Sequence, residues 1–134
     1  MSDEFDFVRP MHAGGRTSPT DGVYVRVTKE KTRTGGGTYD YLTIKIGQEV
    51  CKAARWQVKD RVNVGFSKDR RRILVERTNE GLYGLKVRNG SSKTLYIDIN
   101  TKSLPPDSAA LLDMLLIGKE CEYNVNSRGL LVTF

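Results

Sequence analysis

Four cations and a single acid crowd into Lys68-Asp69-Arg70-Arg71-Arg72. Ammonium and guanidinium groups at this density neutralise phosphates and displace their counterions, so the run predicts a loop that meets a polyanion. Tyr24, Arg26, Tyr41, Lys45 and Arg61 form a second set, each at an outward position of an alternating run. If those runs are neighbours, aromatic rings lie among cations, a combination that holds phosphates and stacks on exposed bases. Lys29, Lys31 and Arg33 flank a glycine-rich loop and extend the same surface. The plainer readings are a solvated sheet face, since tyrosine is a good strand former, and a charged hairpin that keeps a sheet edge from aggregating.

The charge is placed unevenly, which favours the binding reading. The chain of 134 residues carries a net +6. Residues 22–77 hold 14 Lys and Arg against six acids, residues 1–21 two against four, and residues 78–134 six of each. One block therefore carries the whole excess, and such a block attracts anionic partners.

Other chemistries lack their residues. The single histidine, His12, and two cysteines, Cys51 and Cys121, cannot assemble an ordinary zinc site or a disulfide framework. Both cysteines read as small buried apolar groups. There is no His-based triad, no evident carboxylate pair and no Walker-type loop, because Gly35-Gly36-Gly37 lacks the Lys-Ser/Thr and helix that would follow. A non-enzymatic protein with no metal and no cofactor is expected. No apolar run approaches the roughly 18 residues of a membrane span. The start, with Asp3, Glu4 and Asp6, lacks the layout of a secretory signal, so a cytoplasmic location is expected.

The elements that must position these residues are short strands. Residues 1–21 have no apolar repeat and read as a flexible arm, whose stretch Asp3-Glu4-Phe5-Asp6-Phe7-Val8 is a frayed terminus or a docking peptide. From Gly22 onward, alternation marks strands at Val23–Thr28, Tyr41–Ile46, Arg61–Phe66 and Arg72–Glu76, with weak helical character at Gln48–Trp56. A second series has strands at Leu85–Arg88 and Thr94–Ile99 around the hairpin signal Asn89-Gly90. A helix from about 105 to 117 follows, opened by Pro105-Pro106 and stopped by Gly118. Strands at Glu120–Val125 and Leu130–Phe134 flank the turn 126–129.

Laid side by side, both halves read strand, hairpin, strand, short helix, strand, turn, strand, with Tyr41–Arg77 parallel to Thr94–Phe134. Four short strands close poorly alone, whereas two such units share a core. The expected fold is mainly β: tandem repeats at 22–80 and 81–134 packed as a pseudo-dimer barrel. Such a chain is a monomer with a pseudo-twofold, or a homodimer.

Ile46-Gly47-Gln48-Glu49-Val50, then Ala53 to Val64 with its Lys59-Asp60-Arg61-Val62 core, then Arg72-Ile73-Leu74-Val75, resembles the swapped-hairpin barrel of AbrB- and MazE-type DNA-binding domains. Lys59 stands where that pattern has glycine, and Ile117 to Tyr123 looks like a degenerate second copy. The resemblance implies a dimer fused into one chain and duplex DNA bound on a basic face, with no base-reading residue carried over. A DNA-binding regulator or accessory factor of phage-like type is expected, with duplex favoured over single strand. The alternative is an interaction protein that modulates a host or DNA-processing protein.

Overall fold

A computed structural model describes residues 22–32, 36–87 and 94–134. The expected arm, Arg33 and the hairpin signal Asn89-Gly90 lie outside these residues. Eight strands are described: β1 (Val23–Thr32), β2 (Thr38–Ile46), β3 (Arg61–Phe66), β4 (Arg72–Arg77), β5 (Tyr83–Gly84), β6 (Leu95–Asn100), β7 (Lys119–Val125) and β8 (Leu130–Thr133). Helix α1 (Gln48–Ala54) joins β2 to β3, and α2 (Ala109–Met114) lies between β6 and β7.

The strands form one antiparallel sheet in the order β5-β3-β4-β8-β7-β1-β2-β6. A bridge between Lys86 and Tyr96, with backbone bonds of 3.1 and 2.8 Å, ties the two ends of the sheet together. The result is an eight-stranded, nearly closed barrel. Alternation builds its interior. Val23, Val25 and Val27 of β1, Leu42, Ile44 and Ile46 of β2, and Leu95, Ile97 and Ile99 of β6 are all buried. Val62, Ile73, Val75, Leu130 and Val132 complete the far wall. Burial of aliphatic side chains on this scale is the main stabilising term of a small domain, at about 1.5–3 kcal/mol each.

The strand order is unchanged when β1–β4 are exchanged for β5–β8. In both halves the second and fourth strands meet their counterparts, β2 on β6 and β4 on β8, while the first pairs with the third of the other half, β1 with β7 and β5 with β3. Neither half therefore closes a sheet alone. This is the tandem-repeat barrel expected from the sequence.

Two elements differ from the sequence reading. Helical structure begins at Ala109, not near Pro105, and its last turn, Leu115–Ile117, is a 3-10 turn. Asp107 has φ of +65°, which no right-handed helix accommodates, and Ser108 Oγ donates to the Pro105 carbonyl at 2.7 Å, holding 105–108 as a turn. Leu112 N–H to Ser108 O, 2.9 Å, is then the first helical bond. The strand expected at Leu85–Arg88 is paired instead at Tyr83–Gly84 and again at Lys86. Leu85 turns inward between them and is buried.

Candidate nucleic-acid interface

Because every ladder is antiparallel, four successive pairings (β3–β4–β8–β7–β1) set β3 running the same way as β1. The β1–β2 and β3–β4 hairpins of the basic half therefore open at one end of the barrel. The α2 segment, following β6, lies at that end too, and α1 lies at the opposite one.

On the wall of the barrel, β1, β2 and β6 present three adjacent outward rows. Tyr24 pairs across to Lys45, and Lys45 to Tyr96; Arg26 pairs to Thr43, and Thr43 to Asp98; Thr28 pairs to Tyr41, and Tyr41 to Asn100. Cross-strand partners on one face have Cβ atoms about 5 Å apart and diagonal ones about 7–8 Å. Four of the expected residues, Tyr24, Arg26, Tyr41 and Lys45, thus share one surface. Arg26 and Lys29 are exposed. Lys45 is partly buried, and desolvation pulls its pKa below the usual lysine value. Among the described residues, none of these three cations makes a side-chain hydrogen bond or ion pair.

Asp98, the acid on this face, is already engaged. Thr43 Oγ1 donates to its Oδ1 at 2.7 Å, and Lys86 Nζ lies 3.3 Å from Oδ2. Its charge is offset from within the face. Glu120 borders the patch on β7, opposite Tyr24.

Tyr39 was not singled out by sequence. It sits two residues before Tyr41, with their ring centroids 5.7 Å apart and the planes tilted by 39°. Continuing the alternation of the second strand back by one step would have found it. Tyr96 also escaped notice, because its place beside Lys45 depends on the pairing of β2 with β6, which local pattern does not encode.

Tyr24 is less available than alternation suggested. Its hydroxyl lies 3.5 Å from the Ile117 carbonyl, and a Cβ on Gly118 would collide with it. The ring is seated under the turn that leads into β7. Arg61 does not join the group, since β3 is separated from β6 by β5; its Nε donates to the Gly81 carbonyl at 3.0 Å. Lys31 pairs through its backbone with Tyr39 at the β1–β2 hairpin, and Arg33 lies outside the described residues.

The β3–β4 hairpin divides its four cations. Simple alternation along the run would send Arg70 and Arg72 to one face and Arg71 to the other. Instead the Arg70 backbone is left-handed at φ +58°, and the guanidinium folds back, with Nη2 donating to the Pro106 carbonyl at 2.8 Å and Nη1 to Ser67 O at 2.9 Å. Arg70 clasps the hairpin to the segment before α2. Asp69 fixes the tip: Ser67 Oγ donates to it at 2.6 Å and the Arg71 N–H at 3.0 Å, which hold its carboxyl below the usual range. Lys68, Arg71 and Arg72 remain exposed and make no side-chain hydrogen bond or close ion pair among the described residues, although the charges of Arg72 and Arg71 also help hold the Asp69 carboxyl down.

At the other end, a cleft of about 260 Å³ lies between the end of α1 and the β7–β8 turn, lined by Trp56, Arg77, Asn126 and Arg128 among others. Arg128 is held there by Glu76 at 2.8 Å. Among the described residues no group of three or more His, Cys, Asp or Glu is placed to hold a metal ion. No described helix is long and apolar enough to cross a membrane.

The chain matches no family model, no curated protein and no solved structure.

Proposed function

We propose that the chain is a non-enzymatic nucleic-acid-binding protein, a cytoplasmic regulator or accessory factor that grips phosphates with the outer face of β1 and β2. The observation that carries this reading is the placing of Arg26 and Lys45 among tyrosines on adjacent rows of one sheet face, with the exposed Lys29 next to them at the irregularity in β1. Lys68, Arg71 and Arg72, at the barrel end where the β1–β2 hairpin also turns, supply a second set of phosphate-binding cations. The two sets do not merge around the wall, because the exposed Glu120 and Glu122 lie on β7, between β1 and β4.

Cations left without an internal partner on a face whose one central acid is internally offset are what phosphate neutralisation needs. The order of the strands, with each half completing the other, fits the fused-dimer relationship to AbrB- and MazE-type domains that the motif suggested. An interaction with an acidic protein surface is the rival reading. Exposed Met114 and Ile117, the latter 85% exposed, lie beside the same basic end and would favour it.

The test is fluorescence anisotropy with labelled duplex DNA, single-stranded DNA and RNA at two salt concentrations, for the wild type and for R26Q/K29Q/K45Q. Binding that weakens steeply with salt, and whose salt slope flattens by roughly 0.7–0.9 for each phosphate that the variant no longer neutralises, supports the reading. Absence of binding to any of them at low salt contradicts it and moves the choice to a protein partner.

A further inference from the structure

We infer that the nucleic acid taken by this face is single-stranded, with unpaired bases lying against the Tyr39–Tyr41 pair and against Tyr96 while Arg26, Lys29 and Lys45 hold the phosphates. This rests on the nucleic-acid reading above and names the strand form it would take.

Three features point the same way. Duplex recognition commonly inserts a helix or a projecting two-stranded ribbon into the major groove. Helix α2, at the basic end, has six residues and contains no Lys or Arg, and α1 lies at the other end. The β3–β4 hairpin has the charge of a reading ribbon but not its freedom, because Arg70 ties it down to Pro106. The β1–β2–β6 wall is instead a sheet surface on which Lys45 lies between Tyr24 and Tyr96 in one row, Arg26 in the next and Tyr41 in the third.

The aromatic geometry is suited to bases rather than to a groove. Tyr39 and Tyr41 follow each other on one face of β2, so two rings line the path of a strand crossing the sheet. Lys45 lies four residues beyond Tyr41 on the same face, beside Tyr96 on the neighbouring strand. From Tyr39 to Lys45 the strand rises about 20 Å, a length over which several nucleotides extend. Stacking tolerates any base, since each has a π-face, so the face would bind with little sequence preference. Phosphates between stacked bases would fall within reach of Arg26, diagonal to both Tyr41 and Lys45.

The experiment compares an oligothymidine of about 12 nucleotides with a duplex of the same length, for the wild type, Tyr39→Leu/Tyr41→Leu and Tyr39→Phe/Tyr41→Phe. Leucine keeps the apolar cover of the strand but removes the ring; phenylalanine keeps the ring and removes the hydroxyl. The expected result is a preference for the single strand, a loss of roughly tenfold or more in the leucine pair, and near wild-type binding in the phenylalanine pair. Tighter binding to the duplex, or an unchanged affinity for oligothymidine in the leucine pair, overturns the single-strand assignment while leaving nucleic-acid binding intact. If neither form binds at low salt, both readings fall together.

Discussion

Lys59 and Gly118 stand at the same place in the two halves of the barrel, and both have a positive φ, 77° and 83°. The correspondence is fixed by the hairpins: Phe66 pairs with Ile73 and Val125 with Leu130, and each residue lies seven positions before the first member of its pair. In one half the chain uses glycine at this turn into the third strand; in the other a lysine takes a positive φ.

Lys59→Gly is therefore expected to stabilise the fold by about 0.5–1 kcal/mol, the relief of left-handed strain less the entropy that glycine adds to the unfolded chain. Gly118→Lys should cost about 2–3 kcal/mol, because φ 83° with ψ 151° is a region reserved for glycine and a Cβ there meets the Tyr24 hydroxyl. Urea midpoints of the two variants check both signs. Stabilisation by Gly118→Lys would contradict the matched positions.

Arg70 and its neighbours should separate into two kinds of behaviour. Arg70→Ala loses the hydrogen bonds to Pro106, Ser67 and Lys68. It should lower stability by about 1–2 kcal/mol. Arg71→Gln/Arg72→Gln should leave stability within about 0.5 kcal/mol but flatten the salt dependence of binding. Thermal melts and salt titrations on the same preparations separate the two. A melt unchanged in Arg70→Ala would show that the clasp contributes little.

Cys121 gives a pH dependence with a definite sign. Burial raises its thiol from 9.0 to about 11. A raised acid pKa means that the folded state holds the proton longer than the unfolded chain. Its contribution is fully present below pH of about 9 and is lost as the pH climbs toward about 11. Cys51 is displaced in the same direction, also by burial. Denaturation at neutral and alkaline pH should show a smaller alkaline loss for Cys121→Ala than for the wild type. At neutral pH both thiols should resist alkylation until the chain is unfolded, because the thiolate is the reactive form.

Much of the fold was legible because the barrel's core obeys strict alternation. Val23, Val25 and Val27, and Leu42, Ile44 and Ile46, were assigned inward from sequence and are buried. The matching order of elements in the two halves likewise gave the repeat. Which strands would be neighbours was not legible, since pairing of β2 with β6 and of β1 with β7 joins residues about 50 to nearly 100 positions apart. That is why Arg61 was grouped with Tyr24 and Lys45, and why Tyr96 was missed. The helix start failed for a local reason: proline suits a first helical turn, but the left-handed Asp107 and the Ser108 cap delay the helix to Ala109. Alternation also does not extend around a turn, and Arg70 at φ +58° shows how a turn residue redirects its side chain.

Contact of nucleic acid with the basic end and the β1–β2 face can be read by mapping amide chemical shifts during titration with oligothymidine. Binding there should perturb amides centred on Arg26 to Lys29, Tyr39 to Lys45 and Tyr96, with weaker effects at Lys68, Arg71 and Arg72. Shifts confined to the opposite end, around Trp56, Arg77 and Arg128, or no shifts at low salt, would contradict it.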